Sequence, residues 1–264
     1  MRVLKQLIFS IFLVGYFSVV KAEGNATIVQ FTERETGIDA YPVRYVITND
    51  LLRIDDDSDD GDYVLYDDKK RVIYSVNHAD STILVINNSD WTMPEFKFSR
   101  NVSYQKLDNS PTINGKTVFT YWLSAGETVC SEAQVVEGFL KNESALLKRY
   151  KQTLSAEQVT SLVATPEDMR TPCMLVDQVY NQGSVFSKGF PIQQWHVNGI
   201  QRIMTSYKTG VEVAGKLFEL PENYKRYSIG DNLTFGAPGD VPLNHGQPNG
   251  MPPAQHQSPV PAGF

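Results

Sequence analysis

The sequence predicts an α+β fold in which a curved antiparallel β-sheet carries a helical insert. Residues 41–86 contain four or five short runs rich in Val, Ile, Tyr and Leu, separated by polar turns such as Asn49-Asp50. The links between these runs are too short for a parallel crossover, so neighbouring strands are predicted to be antiparallel. The hydrophobic period changes after Gly126, and strand-like alternation returns at Ile192.

Two terminal segments are predicted to lie outside this domain. Residues 1–22 have a positive start and an apolar run shorter than the ~20 residues that span a bilayer, which predicts a signal peptide cut after Ala22. An uncleaved anchor helix is the alternative. Seven of the 14 prolines lie in residues 229–264, which predicts a disordered tail or a docking segment. Residues 23–228 then form a single α+β domain.

The charge and the cysteines restrict the compartment and the partners. Loss of Arg2, Lys5 and Lys21 with the signal peptide moves the formal net charge from −6 to −9. Such an acidic chain is a poor partner for nucleic acid, and no later segment is apolar enough for a transmembrane anchor. Cys130 and Cys173 predict one disulfide in the periplasm or after secretion; a redox pair or a metal site is the alternative.

The remaining strands follow from alternation and turn signals. Residues 25–33 predict the first strand, and Phe96, Phe98, Val102 and Tyr104 share one parity before a turn at Asn114-Gly115. A strand at 117–123 follows this turn. The pair Asn198-Gly199 predicts a second hairpin, and 211–220 a last strand or pair of strands.

The helical insert is predicted over about residues 131–181. Ser131 with Gln134 fits a capping box, and Ser155 with Gln158 fits a second one. Together with a short helix around 173–180, these signals predict several short helices. The disulfide would tie the insert to the edge of the sheet.

Aromatic and apolar residues at strand spacing are candidates for lining a concave binding face, with ordinary core packing as the alternative. Arg44, Arg53, Arg71 and Arg202 lie in predicted strands, either facing solvent or pointing into that face to hold a polar group of a ligand. The predicted ligand-binding residues are Tyr45, Ile47, Leu52, Arg53, Tyr74, Phe98 and Trp122.

An acidic loop at residues 56–67 matches part of a twelve-residue calcium loop. Its predicted ligands are Asp56, Ser58, Asp60 and Asp67, with Gly61 at the sharp turn. The flanks are predicted strands rather than helices, and the last ligand is Asp rather than Glu. A solvated acidic hairpin is therefore the simpler interpretation, a weak calcium site the alternative, and no other cofactor is predicted.

No catalytic residues are predicted. The four histidines, His78, His196, His245 and His256, have no metal-ligand spacing, and no nucleophile motif such as Gly-x-Ser-x-Gly occurs. Each is interpreted as a surface or packing residue.

Three segments of the sequence resemble the LolA/LolB-like lipoprotein-carrier superfamily and its Gram-negative periplasmic relatives of unknown function. They are a strand ending in LLRID (51–55), a hairpin at 64–77 and a closing LFELPENY (217–224). The resemblance covers about residues 25–124 and 190–227. It implies an unclosed antiparallel β-barrel wrapped on a helix, with an apolar concavity that can hold acyl chains. The helical insert, the cysteine pair and the tail depart from the carriers.

These observations predict an exported, non-catalytic binding protein that holds an apolar or lipid ligand, or a lipidated envelope protein, in a sheet concavity. A cell-envelope protein–protein interaction module, recruited through the acidic loop or the tail, is the second hypothesis. An exported hydrolase is the third, and it requires a nucleophile–base pair that only folding brings together.

Overall fold

The computed structural model describes residues 24–88, 99–106, 112–162, 165–166 and 170–228. The strands are β1 (Asn25–Arg34), β2 (Tyr41–Ile47), β3 (Leu51–Asp55), β4 (Tyr63–Asp67), β5 (Val72–Asn77), β6 (Thr82–Asn87), β7 (Arg100–Lys106), β8 (Val118–Ala125), β9 (Thr128–Val136), β10 (Phe190–His196), β11 (Gln201–Glu212) and β12 (Lys225–Tyr227). The helices are α1 (Lys141–Leu162) and α2 (Pro172–Leu175), with a π-helical turn at Val176–Tyr180 and 3₁₀ turns at Ser184–Ser187 and Gly215–Phe218.

The twelve strands form one open sheet in the order β12-β6-β5-β4-β3-β2-β1-β11-β10-β9-β8-β7. β12 is parallel to β6, and every other pairing is antiparallel. The two edge strands, β12 and β7, do not pair with each other within the described residues. The predicted α+β fold with an unclosed, curved sheet is confirmed.

The central meander is also confirmed, because residues 41–86 form β2 to β6 and each strand pairs with the next. Polar residues from the sequence signal hydrogen-bond across its turns. Asp67 accepts a hydrogen bond from the Lys70 amide at 3.0 Å, and Asn77 accepts one from the Asp80 amide at 2.7 Å. The predicted hairpin at Asn198-Gly199 connects β10 to β11. β11 then pairs with β1, which brings the two ends of the domain together.

One face of the sheet is covered by α1, and we call it the helix face. Leu146, Leu147 and Tyr150 of α1 pack into a cluster with sheet residues such as Phe31 and Tyr66. The rings of Tyr66 and Tyr150 meet edge to face, with centroids 5.6 Å apart. Each fully buried leucine of this kind contributes about 1.5–3 kcal/mol of transfer free energy. The helix therefore fills the centre of the face that was predicted to be hollow.

The opposite face is covered by residues 213–224, which we call the C-terminal segment. Phe218 and Val213 of this segment pack against sheet residues that include Val46, Leu65 and Ile83. Four of the five residues in each of β3 and β4 are buried for this reason. Both faces of these two strands are therefore covered.

The helical insert begins later than predicted. Ser131 and Gln134, the first predicted capping box, lie in β9, where Ala133 and Val135 alternate as buried residues. The alternation in β9 is stabilised by pairing with strands on both sides, so it overrides the local capping signal. The second predicted capping box, at Ser155, lies inside α1, which is one continuous helix of 22 residues.

Two further sequence predictions need correction or fall outside the described chain. Residues 211–220 do not form a last strand, because β11 ends at Glu212 and a 3₁₀ turn follows. The last strand is instead β12, whose three residues are too few for a sequence pattern to predict. The predicted signal peptide, Phe98 and the tail at 229–264 lie outside the described residues. Among the described helices, none combines the length and the apolar character that crossing a membrane requires.

Candidate functional site

A cavity of about 420 Å³ lies between the helices and the sheet, beside the filled centre of the helix face. Its walls come from α1, from α2 with the π-helical turn, and from β8, β9 and β10. Apolar side chains such as Val185, Met174 and Ile200 line part of it. Lys151, Asp177 and His196 line another part. A mixed wall of this size matches the sites that hold small molecules in other proteins.

A hydrogen-bonded cluster centred on Asp177 forms the polar wall. The Ser131 hydroxyl in β9 donates to Asp177 Oδ1 at 3.2 Å, and His196 Nδ1 in β10 lies 3.2 Å from Asp177 Oδ2. The two strands are neighbours in the sheet, which places both side chains opposite the π-helical turn. His196 therefore holds a defined position in the cavity, and its interpretation as a surface or packing residue was incomplete.

The Ser131–Asp177–His196 cluster differs from a hydrolytic triad. In a triad the histidine receives the serine proton, and the carboxylate orients the far side of the imidazole. Here the serine hydroxyl donates to the carboxylate itself. The described contacts therefore do not include the serine–histidine hydrogen bond of a triad.

Lys151 of α1 also lines the cavity. Its Nζ atom is buried, while its stem is partly exposed along the wall. Burial lowers the pKa of Lys151 well below its ordinary value, and Arg202 lowers it further, whereas Glu33 and Asp177 raise it.

A close contact holds the loop after the π-helical turn against α1. Gly183 has a φ of 69°, and a Cβ at this position would lie 2.9 Å from Lys151 Cβ and 3.2 Å from Lys148 Cα. Only glycine fits this approach without displacing the helix backbone. On the far side of the loop, the Ser184 hydroxyl forms a 2.6 Å hydrogen bond with the Tyr121 hydroxyl of β8. The loop therefore fixes the distance between α1 and the sheet.

The predicted disulfide is confirmed and forms part of the same wall. Cys130 in β9 is bonded to Cys173 in α2, with their Cα atoms 5.0 Å apart. Cys130 is fully buried, and Cys173 lines the cavity. β9 lies between β8 and β10, so the bond ties the insert to the interior of the sheet rather than to its edge.

A buried ion pair in the sheet lies close enough to Lys151 to influence its pKa. Arg202 Nε donates to Glu33 Oε1 at 2.6 Å, and the two side chains are 8% and 0% exposed. The guanidinium lies 5.3 Å from the centroid of the Tyr45 ring and 5.5 Å from that of Phe31. Burial lowers the pKa of Arg202, but Tyr45 and Glu33 raise it by more, so this pKa lies above the ordinary value and the guanidinium stays charged.

The other predicted arginines have different surroundings. Arg53 is buried on the opposite face, where it pairs with Asp55 at 2.6 Å and lies 3.9 Å from the centroid of Tyr63. It also donates to the Leu217 carbonyl and so holds the C-terminal segment. Arg44 pairs with Asp55 at 2.8 Å, and Arg71 lies in the turn before β5. The interpretation of solvent-facing charge is therefore wrong for Arg53 and Arg202.

The structure does not bring the predicted ligand-binding residues into one cavity. Tyr45, Ile47 and Leu52 are buried in the core beneath α1. Tyr74 packs on the opposite face, and the Trp122 indole donates to Glu132 Oε2 at 2.8 Å. None of the residues described from that set lines the 420 Å³ cavity.

The predicted calcium ligands are also separated. Asp56 Oδ1 accepts the Ser58 amide at 3.1 Å within the loop, whereas Asp67 lies at the far end of β4 and pairs with Lys70 at 2.8 Å. Four residues of strand place Asp67 about 13 Å from the end of the loop. Within the described residues, no group of three or more His, Cys, Asp or Glu side chains could hold a metal ion.

Sequence reasoning missed Lys151, Asp177 and Ser131 as members of one site. One signal for Lys151 was present, because it lies four residues after Leu147 and three before Leu154, on the apolar side of α1. Asp177 and Ser131 carried no comparable signal. Their meeting depends on the disulfide and the π-helical turn.

No family model matches the chain, and neither does any curated protein sequence. Among solved structures, an uncharacterized conserved protein from Thermus thermophilus has a TM-score of 0.41 and 6% identity, covering 78% of this chain and 92% of its own. PNGF-II has a TM-score of 0.40 and 9% identity over 80% of this chain, and MucB has 0.35 and 10% over 78%. The chain spans 32% of PNGF-II and 61% of MucB. These scores are low, and no conclusion about fold or function rests on them.

Proposed function

We propose that this chain is a non-catalytic binding protein that holds a small amphipathic molecule in the cavity between α1 and β8–β10. The observation that supports this proposal most is the cavity, which is about 420 Å³ in volume. Apolar side chains line one part of its wall, and Lys151, Asp177 and His196 line another. Such a wall suits a ligand with an apolar body and one polar end. A free lipid-like molecule and the acyl group of a lipidated envelope protein share this chemistry.

The proposed compartment is the periplasm or the extracellular space, after cleavage of a signal peptide following Ala22. The bond between Cys130 and Cys173 supports this placement, because structural disulfides persist in oxidising compartments. The same bond forms part of the cavity wall, so an oxidising compartment would also preserve the proposed binding site.

Filling the cavity is expected to abolish binding. Ile200 lines the cavity, so an Ile200→Trp side chain would occupy the space of the ligand. Binding of the neutral fluorophore N-phenyl-1-naphthylamine is expected to weaken by about tenfold or more, which corresponds to ~1.4 kcal/mol or more. The measurement is a fluorescence titration, accompanied by native mass spectrometry of the gently purified wild-type protein.

Ile203→Trp is the matched control, because Ile203 neighbours Arg202 in β11 and therefore points to the opposite face of the sheet. Its side chain is already exposed, so this variant is expected to bind the fluorophore like the wild type. A wild-type protein that carries no small molecule and binds no fluorophore would contradict the proposal, as would equal binding by the two tryptophan variants.

A further inference from the structure

We propose a second binding site, on the face of β8–β10 that points away from the cavity, where Trp122 and Trp195 hold an uncharged chain of β-1,4-linked hexose units. The side chains of these strands that line the cavity are Tyr121, Ser131, Ala133, Gln194 and His196. Successive side chains of a strand point to opposite faces. Trp122, Glu132 and Trp195 alternate with the cavity-lining residues, so they point to the other face.

The register of the strands places the two tryptophans in one row. Glu132 of β9 lies directly opposite Trp122 of β8 and directly opposite Trp195 of β10. Neighbouring strands are about 4.8 Å apart, so the two indoles are about 10 Å apart, one on each side of Glu132. In an extended β-1,4-linked chain each hexose is turned by half a rotation against the next. Alternate units therefore present the same ring face, at a repeat that matches this separation.

This part of the sheet face is not covered within the described residues. Both tryptophans are partly exposed, and neither packs into one of the buried apolar clusters. The cluster beneath the C-terminal segment includes no residue of β7 to β10. Two partly exposed indoles in one row form an aromatic surface that is open to a ligand.

The groups beside the tryptophans are polar and almost all uncharged. The next row across β7 to β10 consists of Gln105, Thr120, Gln134 and Gln193, and Gln201 lies opposite Trp195. A carboxamide donates and accepts hydrogen bonds, as a sugar hydroxyl does. Among the described residues, none of these four glutamine side chains has a hydrogen-bond partner of its own.

The single charge in the two rows explains why the ligand is uncharged. Glu132 Oε2 accepts the Trp122 indole N–H at 2.8 Å, which leaves Oε1 to accept from a sugar hydroxyl. A carboxylate at the centre of the row repels an anionic polymer, and no cation in the two rows offsets it. The C–H groups on the face of a hexose ring pack against the negative face of an indole. An uncharged sugar chain therefore complements both the rings and the polar groups.

The test is isothermal titration calorimetry of the full chain with cellobiose, cellotetraose and the N-acetylated chitotetraose. We expect a tetramer to bind about tenfold or more tightly than the disaccharide, because only the longer chain reaches both indoles. Whichever of the two tetramers binds more tightly identifies plain hexose or N-acetylhexosamine as the unit. Trp122→Leu and Trp195→Leu keep an apolar side chain without a ring. Each is expected to reduce tetramer affinity by about tenfold, to the level of the disaccharide.

Two further variants separate the loss of the ring from a loss of folding. Trp195→Tyr keeps an aromatic ring and should retain most of the tetramer affinity. Tyr104→Leu is the matched control, because the Tyr104 ring lies on the neighbouring strand β7 but stacks on Phe119 in the cluster on the cavity side. It should bind the tetramer like the wild type, and thermal melts verify that all variants are folded.

Two results would overturn the proposal. One is a folded wild type that binds neither tetramer, or that binds them equally well after either leucine substitution. The other is a concentration-dependent dimer in sedimentation velocity that both leucine variants abolish, which would assign this face to a second copy of the chain. Either result leaves the cavity function in place, because the cavity lies on the other face of the sheet.

Discussion

Replacement of Arg202 by methionine is expected to lower the free energy of unfolding by about 3–5 kcal/mol, the range for breaking a buried ion pair by removing one partner. The Glu33 carboxylate that remains would be fully buried without the guanidinium that now donates to it at 2.6 Å. The stacking of the guanidinium near Phe31 and Tyr45 would be lost as well. Urea unfolding followed by circular dichroism measures the change.

The controls for this prediction use the same strands. Arg34→Met removes an exposed arginine at the end of β1 and is expected to change stability by no more than about 0.5 kcal/mol. The double variant Glu33→Met/Arg202→Met is expected to be much more stable than the sum of the single changes implies, because both charges leave the core together. A cost below about 1 kcal/mol for Arg202→Met would show that the pair is hydrated rather than buried.

Removal of the disulfide in the variant Cys130→Ala/Cys173→Ala is expected to cost about 3–4 kcal/mol, because the bond closes a loop whose ends are 43 residues apart in sequence. The loss acts mainly by enlarging the conformational freedom of the unfolded chain. Fluorophore binding is expected to weaken too, since Cys173 is part of the cavity wall. Thermal melts and the fluorescence titration report the two effects.

A reductant separates the role of the bond from the effect of the substitutions. Treatment of the wild type with a phosphine reductant should destabilise it about as much as the double alanine substitution does. The same treatment should leave the alanine variant unchanged. If the reduced wild type keeps its melting temperature and its binding, the disulfide does not contribute to the stability of this wall.

The strands were the most predictable part of the fold, because their signals are local. Turn residues such as Asp67 and Asn77 hydrogen-bond to amides three residues later, so they close a turn whatever surrounds them. The helix boundaries were less predictable. Ser131 and Gln134 fit a capping box, but pairing between β8, β9 and β10 decides the conformation of that segment.

The candidate site could not be predicted to the same degree, because its members are distant in sequence. Ser131, Lys151, Asp177 and His196 lie on four different elements of the fold and share one cavity wall only in the folded chain. Tyr45 and Leu52 are of the residue types expected on a binding face, yet they are buried beneath α1. Which part of a sheet a helix covers depends on packing along its whole length, and that information is absent from strand patterns.

The central claim, that the cavity beside α1 is the ligand site, is tested most directly by mapping where a ligand binds. A titration of ¹⁵N-labelled protein with decanoate, followed by amide chemical shifts, provides this map. We expect the largest shifts around Ser131, Lys151, Asp177 and Ile200, with little change in the acidic loop at residues 56–62. Shifts centred on that loop or on the C-terminal segment, or no shifts at saturating decanoate, would contradict the claim.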